Sequence, residues 1–452
     1  MRKIKAAFVG FGEVNTPREF IDNRCAAAAD SLEEQGLELI KAPSVMDDLD
    51  GRTADAAYKS LMAKEFDVLI VCIAGWIPSW AVFKVIEPFR YKPMILWGLS
   101  GWRDGESFVT TADQAGTTAL RKPMTDMGYN FKYVVNYREE KPDLSKILNY
   151  AIAARAVSLL KETKLGMAGY RDMKLYGTMY DGIAFKKKLG VEIEHFELLE
   201  LRQLMEKTSD SEIIKIADEV RTRWKFLKNP QPGTVENSVK LYLAIKRKIE
   251  ERDFSGFSYN DVDGIKKLMG FAPAGAMTLL HETMDISSVP ENDAPGMVTQ
   301  MMVRFLTGQC GAYLEFYEFM KTGALMGVPD YVPSEIVDGP ITVMPNAFGN
   351  FGEGLLNVSK LKTGKITLAR FAEANGDFQM HVATADAKTP IKWEEAGWAP
   401  PAPQLPSLDM IFDGSADDFV QNVMSQHYII SYGDNMAVIK DFCRILGIKI
   451  LS

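Results

Sequence analysis

Residues 289–319, "VPENDAPGMVTQMMVRFLTGQCGAYLEFYEF", hold two carboxylates in unusual settings. Glu315 sits inside the apolar, aromatic run "AYLEFYEF", which reads as a strand. Strand alternation puts Tyr313, Glu315 and Tyr317 on one face and Leu314 and Phe316 on the other. Burying an unpaired carboxylate costs on the order of several kcal/mol, unless it is hydrogen-bonded, ion-paired or bound to a cation. Glu315 is therefore either an edge-strand acid in water or in a salt bridge, or an acid with a chemical task. Glu318 is expected on the opposite side, exposed or capping. Glu291 lies in "PENDAPG", a turn leading into a helix, where an acidic cluster can simply cap the positive helix end. Taken together the two acids say more. A helix expected over about residues 295–306, followed by a returning strand, can bring both to one site at strand ends, where α/β folds build their sites.

Histidines are scarce: His195, His281, His381 and His427. A metal site must then lean on carboxylates, which favours Mn²⁺ or Mg²⁺ over zinc. His281 with Glu282 is a rival ligand pair, but neighbours in a strand would point apart. His195 and His381 read as structural. Cys25, Cys72, Cys310 and Cys443 are scattered without C-x-x-C spacing, against a disulfide framework or structural zinc and in keeping with a reducing cytoplasm. Trp76, Trp80, Trp97 and Trp102 cluster in the first third of the chain, as aromatic faces for a sugar or as packing under loops. "GFGEVN" has two closely spaced glycines but lacks the third of a dinucleotide fingerprint. It is expected to make a tight turn, with no nucleotide cofactor. Arg18 and Arg103 are surface charges or contacts to an anionic sugar substituent.

The elements that must position these groups are legible as runs. "IKAAFVG", "FDVLIVCIAG", "PMILWG" and "FKYVVN" are apolar strands alternating with helical segments, the pattern of a parallel sheet covered on both faces. A second α/β unit follows. Later, Gly and Pro rise and short alternating strands begin. The expected fold is α/β: two Rossmann-like parallel-sheet α/β domains (residues 1–165 and 166–322, the second carrying the acids), then a β-rich, barrel-like C-terminal domain over 323–452. Hydrophobic residues make up 47% and charged residues 25%, the balance of a soluble globular chain. A formal net charge of -8 argues against nucleic acid and anionic membrane as partners. "MRKIKAAFVGFGEVN" reads as a first strand, not a signal peptide.

Several of these stretches resemble L-fucose isomerase and the fucose and arabinose isomerase group. The resemblance rests on "PENDAPGMVTQMMVRFLTGQCGAYLEFYEF", with its Glu-Asn-Asp followed by an acid in a strand, and on "SQHYIISYGDNMAVIKDFCRILGIKIL", which carries a late histidine. Further support comes from "KLYGTMYDGIAFKKKLGVEIEHFELLELRQLM", "CIAGWIPSWAVFKVIEPFRYKPMILWGLSGW" and "LKTGKITLARFAEANGDFQMHVATADA". The resemblance implies that Glu291, Glu315 and His427 bind Mn²⁺, with Mg²⁺ or Co²⁺ as substitutes. It implies that Glu291 and Glu315 are catalytic, that Trp76 and Gln426 lie near the sugar, and that the protein is a cytoplasmic homo-oligomer with active sites near subunit boundaries. The sequence departs from the family in three places. Glu315 stands for an aspartate, Gln426 stands for an asparagine, and "MPNAFGNFGEG" lacks the further histidine of arabinose isomerases. The chain is also shorter. These differences bear on which sugar is used: a neutral deoxyhexose or pentose, or a hexose with an anionic group at C6 such as sulfoquinovose, which Arg18 could meet. Two carboxylates, an imidazole and a cation suffice for an enediol route between aldose and ketose. A non-catalytic sugar-binding or regulatory protein on the same scaffold is the alternative.

Overall fold

The computed structural model describes residues 1–328, 331–347, 349–393 and 405–452. The chain divides into two compact units, Met1–Ser158 and Leu159–Ser452.

The first unit contains, in chain order, β1 (Lys5–Phe11), α1 (Arg18–Glu34), β2 (Glu38–Lys41), α2 (Arg52–Leu61), β3 (Val68–Ile73), α3 (Ser79–Ile86), β4 (Met94–Gly98), β5 (Trp102–Asp104), β6 (Ser107–Val109), α4 (Asp113–Asp126) and β7 (Phe131–Val135). It ends within α5 (Ser145–Lys161). Five strands form a sheet of order β2-β1-β3-β4-β7, parallel throughout. The four apolar runs are its four inner or long strands. β2, "ELIK", is one edge strand and β7 the other. The polar content of β2 hid it from a reading based on apolar runs.

The second unit begins with β8 (Lys164–Ala168), α6 (Gly182–Leu189), β9 (Glu192–Phe196), α7 (Leu198–Glu206), α8 (Asp210–Arg223), β10 (Lys225–Phe226), α9 (Thr234–Arg252) and β11 (Gly256–Tyr259). A π-helical stretch, Asp261–Met269, follows. Then come α10 (Ala274–Thr283), β12 (Ser287–Val289) and α11 (Ala294–Thr307). Strands β12-β11-β8-β9 make a parallel sheet. The chain continues through β13 (Ala312–Met320), β14 (Gly323–Gly327), β15 (Thr342–Ala347), β16 (Glu353–Asn357), β17 (Gly364–Ala374), β18 (Asp377–Lys388), β19 (Ser407–Phe412), α12 (Ala416–Gln421), β20 (His427–Tyr432), α13 (Met436–Leu446) and β21 (Lys449–Leu451).

Strands β17-β20-β13-β14-β19-β18 pair antiparallel in that order, and β17 pairs with β18 to close a six-stranded barrel. Closure removes the edges of these six strands, and β21 adds to β18 in parallel. The barrel starts at β13, so Glu315 is a barrel residue, although its chain segment reads as the end of an α/β domain. β15 and β16 stay outside the barrel. They form a small sheet with β10 and pack on α9 and α10.

α11 explains its own sequence. It lies against β11 and β12 on one side and against β13, β17 and β20 on another. A helix covered on several sides must be apolar nearly all round, and every residue from Ala294 to Val303 is buried. Asp293 caps it, its carboxylate accepting from the Gly296 amide at 3.0 Å, and Pro295 sits in its first turn, where the missing N–H costs nothing.

Candidate active site

Glu291 and Asn292 follow the C-terminal end of β12, and both adopt left-handed backbone, with φ of 66° and 50°. Two consecutive non-glycine residues in this region carry strain of about 1–3 kcal/mol each. The surrounding hydrogen bonds enforce it. The Asn292 amide donates to Tyr259 O at 3.0 Å, and its side-chain Nδ2 donates to Ala168 O at 3.0 Å and Tyr170 O at 2.7 Å. The turn is thus tied to the ends of β11 and β8, and Glu291 is held where the parallel strands finish.

The barrel supplies the other groups. Antiparallel pairing of β13 with β20 sets Glu315 directly opposite His427. Opposed residues project from the same face with Cβ atoms about 5 Å apart. Gln426 Nε2 donates to Glu315 Oε1 at 3.3 Å. His427 is buried, and its Nδ1 stands 3.7 Å from Glu291 Oε2. Glu291, Glu315, Gln426 and His427 therefore gather around the junction of β12 with the β13–β20 pair. Trp76 and Arg18 belong to the first unit. Trp76 is partly exposed there, with its amide bonded to Thr111 O. Arg18 opens α1 and makes an exposed pair with Asp22 at 3.5 Å, of the kind that contributes little to stability.

Three further residues emerge only in the structure. Arg370, on β17, makes two hydrogen bonds to Asp293, Nη1 to Oδ2 at 2.5 Å and Nη2 to Oδ1 at 2.9 Å, with both side chains fully buried. Tyr313 Oη lies 2.8 Å from Asp293 Oδ2 and 2.8 Å from His427 Nδ1. The Tyr313 and His427 rings stack with centroids 4.2 Å apart. Burial would raise the Asp293 pKa, but the Arg370 charge and its hydrogen bonds outweigh this and hold the carboxyl below its ordinary value. Burial, with the charges of Asp293 and Glu291, pushes the Tyr313 phenol well up, so it stays protonated. The sequence signals were an arginine inside the apolar strand "ITLARFA" and a tyrosine sharing Glu315's face.

The other histidines serve structure. His281 is on α10, not in a strand, with its Nδ1 3.9 Å from Cys310 Sγ. Its neighbour Glu282 turns away to Arg223 and Trp224. His381 meets Tyr428 Oη at 2.6 Å, and His195 joins Gly169 O and Tyr180.

Glu291 Oε2 approaches the imidazole of His427 from its Nδ1 side, and Glu315 occupies the position opposite His427. Among the described residues, no three acid, imidazole or thiol side chains are drawn into a closed cation shell. Glu315 instead accepts a hydrogen bond from Gln426. The donor chemistry, two carboxylates and an imidazole, suits a divalent cation with open positions.

Two known proteins or profiles are similar to this chain. The profile of the L-arabinose isomerase central domain matches residues 173–279, the segment running from the chain after β8 through α10. An L-arabinose isomerase of Shouchella clausii (strain KSM-K16) is 22% identical over 340 residues, covering 72% of this chain and 67% of that protein. No helix among the described residues is long and apolar enough to cross a membrane. These two matches make the chain similar to L-arabinose isomerases over much of its length, and that similarity supports an aldose–ketose sugar isomerase.

Proposed function

We propose that the protein isomerises a free aldose through an enediol, using Glu291 and Glu315 as proton carriers and a divalent cation held by Glu291, Glu315 and His427. The observation that carries this reading is the meeting of the Glu291 turn with the Glu315–His427 pair. Moving a carbonyl from C1 to C2 requires removing the C2 proton and returning it at C1. It also requires passing a proton between O2 and O1. Two carboxylates can divide these transfers. The cation, Mn²⁺ first with Mg²⁺ or Co²⁺ as substitutes, supplies polarisation of the carbonyl and stabilisation of the developing negative charge. Gln426, bonded to Glu315, is placed to couple that carboxylate to a sugar hydroxyl.

The substrate is a neutral pentose or 6-deoxyhexose, or a hexose carrying an anionic group at C6. Ketose formation from L-fucose, D-arabinose, L-arabinose and sulfoquinovose, with added Mn²⁺ and then with chelator, tests the reading. Turnover of one sugar that chelator abolishes supports it and names the substrate class. Turnover unaffected by exhaustive chelation overturns the role of the cation. In the same reading the protein is a homo-oligomer, checked by light scattering on the purified chain.

A further inference from the structure

We infer that Tyr313 is a positioning residue: its hydroxyl, oriented by the Arg370–Asp293 ion pair, sets the tautomer of His427 so that the imidazole lone pair lies on Nε2. The inference rests on the proposed cation site for its consequence, though not for its geometry.

The hydrogen-bond directions follow from the partners. Arg370 can only donate, and it makes two hydrogen bonds to Asp293, the geometry of guanidinium with carboxylate. Asp293 is therefore an acceptor towards everything else it touches, including the Gly296 amide. The Tyr313 hydroxyl has one hydrogen, and Asp293 Oδ2 at 2.8 Å receives it. The phenol oxygen is left with lone pairs to offer. His427 Nδ1, also at 2.8 Å, must then be the N–H that donates to it. A neutral imidazole protonated at Nδ1 carries its lone pair at Nε2. Nε2 is then the ligating nitrogen, oriented by a chain that runs His427, Tyr313, Asp293, Arg370. Ring stacking of Tyr313 on His427 restrains the imidazole plane as well. Partners of this kind set the orientation and basicity of ligating histidines, and their loss typically lowers affinity or activity about 10- to 100-fold.

The same chain reaches Glu291 by a different route. Asp293 is two residues beyond it and caps α11, so the ion pair that orients Tyr313 also anchors the turn bearing the first carboxylate. One buried pair thereby supports two of the three proposed ligands.

The test uses Tyr313→Phe, which keeps the stacked ring and removes only the hydroxyl. Two readouts separate this inference from the proposed function. In the intact wild-type protein labelled with ¹⁵N-histidine, and assigned with His427→Asn, the imidazole of His427 is expected protonated at Nδ1 and unprotonated at Nε2. In Tyr313→Phe this pattern is expected to be lost. Wild-type His427 protonated at Nε2 instead, or an unchanged pattern in the variant, overturns the inference whether or not a cation binds. Calorimetric titration with Mn²⁺ alone is expected to show about 10- to 100-fold weaker binding by the variant. Equal affinity in both proteins overturns the positioning role. Absence of Mn²⁺ binding by the wild type overturns the cation site while leaving the tautomer result to decide the role of Tyr313.

Discussion

Glu315 and His427 face each other across the β13–β20 ladder, an acid and an imidazole on neighbouring strands of a closed barrel. Their chain positions are more than a hundred residues apart, and only the pairing of these two strands makes them partners. Glu315→Gln and His427→Ala are each expected to lower turnover by at least about a hundredfold, the scale of a lost general acid–base or ligand group. Circular dichroism should show the barrel intact in both. Full activity in either variant removes that residue from the site.

Glu291 occupies a conformation that costs stability, and its carboxylate is buried. Glu291→Gly relieves the backbone strain and removes the desolvated acid. The expected result is a fold more stable by about 1–2 kcal/mol, with no detectable isomerisation. Urea unfolding compared with ketose formation checks both halves. A destabilised Glu291→Gly protein would mean that the carboxylate contributes more to folding than its backbone costs.

Arg370 and Asp293 are both fully buried, and each satisfies the charge of the other. Arg370→Met leaves Asp293 ionised without a counter-charge, and breaking such a pair costs about 3–5 kcal/mol. The lowered pKa of Asp293 gives the sign of the pH effect. Wild-type stability from this pair is present above the ordinary carboxyl range near pH 4 and fades as pH falls through the lower folded value. The stability difference between wild type and Arg370→Met, from denaturant midpoints at pH 7 and at pH 3, should shrink at the acid end.

Two histidines, His281 and the buried His381, shift stability in the same direction over a higher pH range. Burial and the nearby Arg304 charge lower His281 to about 3, and burial lowers His381 to about 4. Below pH about 6.5 the unfolded chain takes up protons that the native state refuses. Stability therefore falls as pH drops from about 6.5 towards 4, by about 1.4 kcal/mol per pH unit for each histidine at full effect. His381→Gln should flatten that slope by up to about this amount in unfolding curves between pH 6.5 and 4.5. An unchanged slope would show that His381 takes no part in it.

The local features of the site were legible in the residues themselves. A carboxylate inside "AYLEFYEF" conflicts with its apolar neighbours, and in the barrel it is half-buried and hydrogen-bonded to Gln426. The Pro- and Asp-rich turn before α11 announced a helix start, and continuous apolar runs announced a parallel sheet, because strand and helix periodicities are properties of neighbouring residues. β2 escaped because an edge strand need not be apolar.

Tertiary structure alone decided the partners. The barrel closes through the β17–β18 hairpin, which the local Asn375-Gly376 turn encodes, and through the pairing of β13 with β20, which no local pattern encodes. That closure moved Glu315 from the end of an α/β unit into a barrel wall and set it opposite His427. It also brought Arg370 to Asp293 and Tyr313 to His427, links of 77 and 114 residues along the chain. A lone arginine in an apolar strand and a tyrosine among aromatics are unremarkable in sequence. They acquire meaning only when folding removes water and brings these polar groups to one another. The residue types therefore set which chemistry was available, and the long-range packing set which of those groups meet.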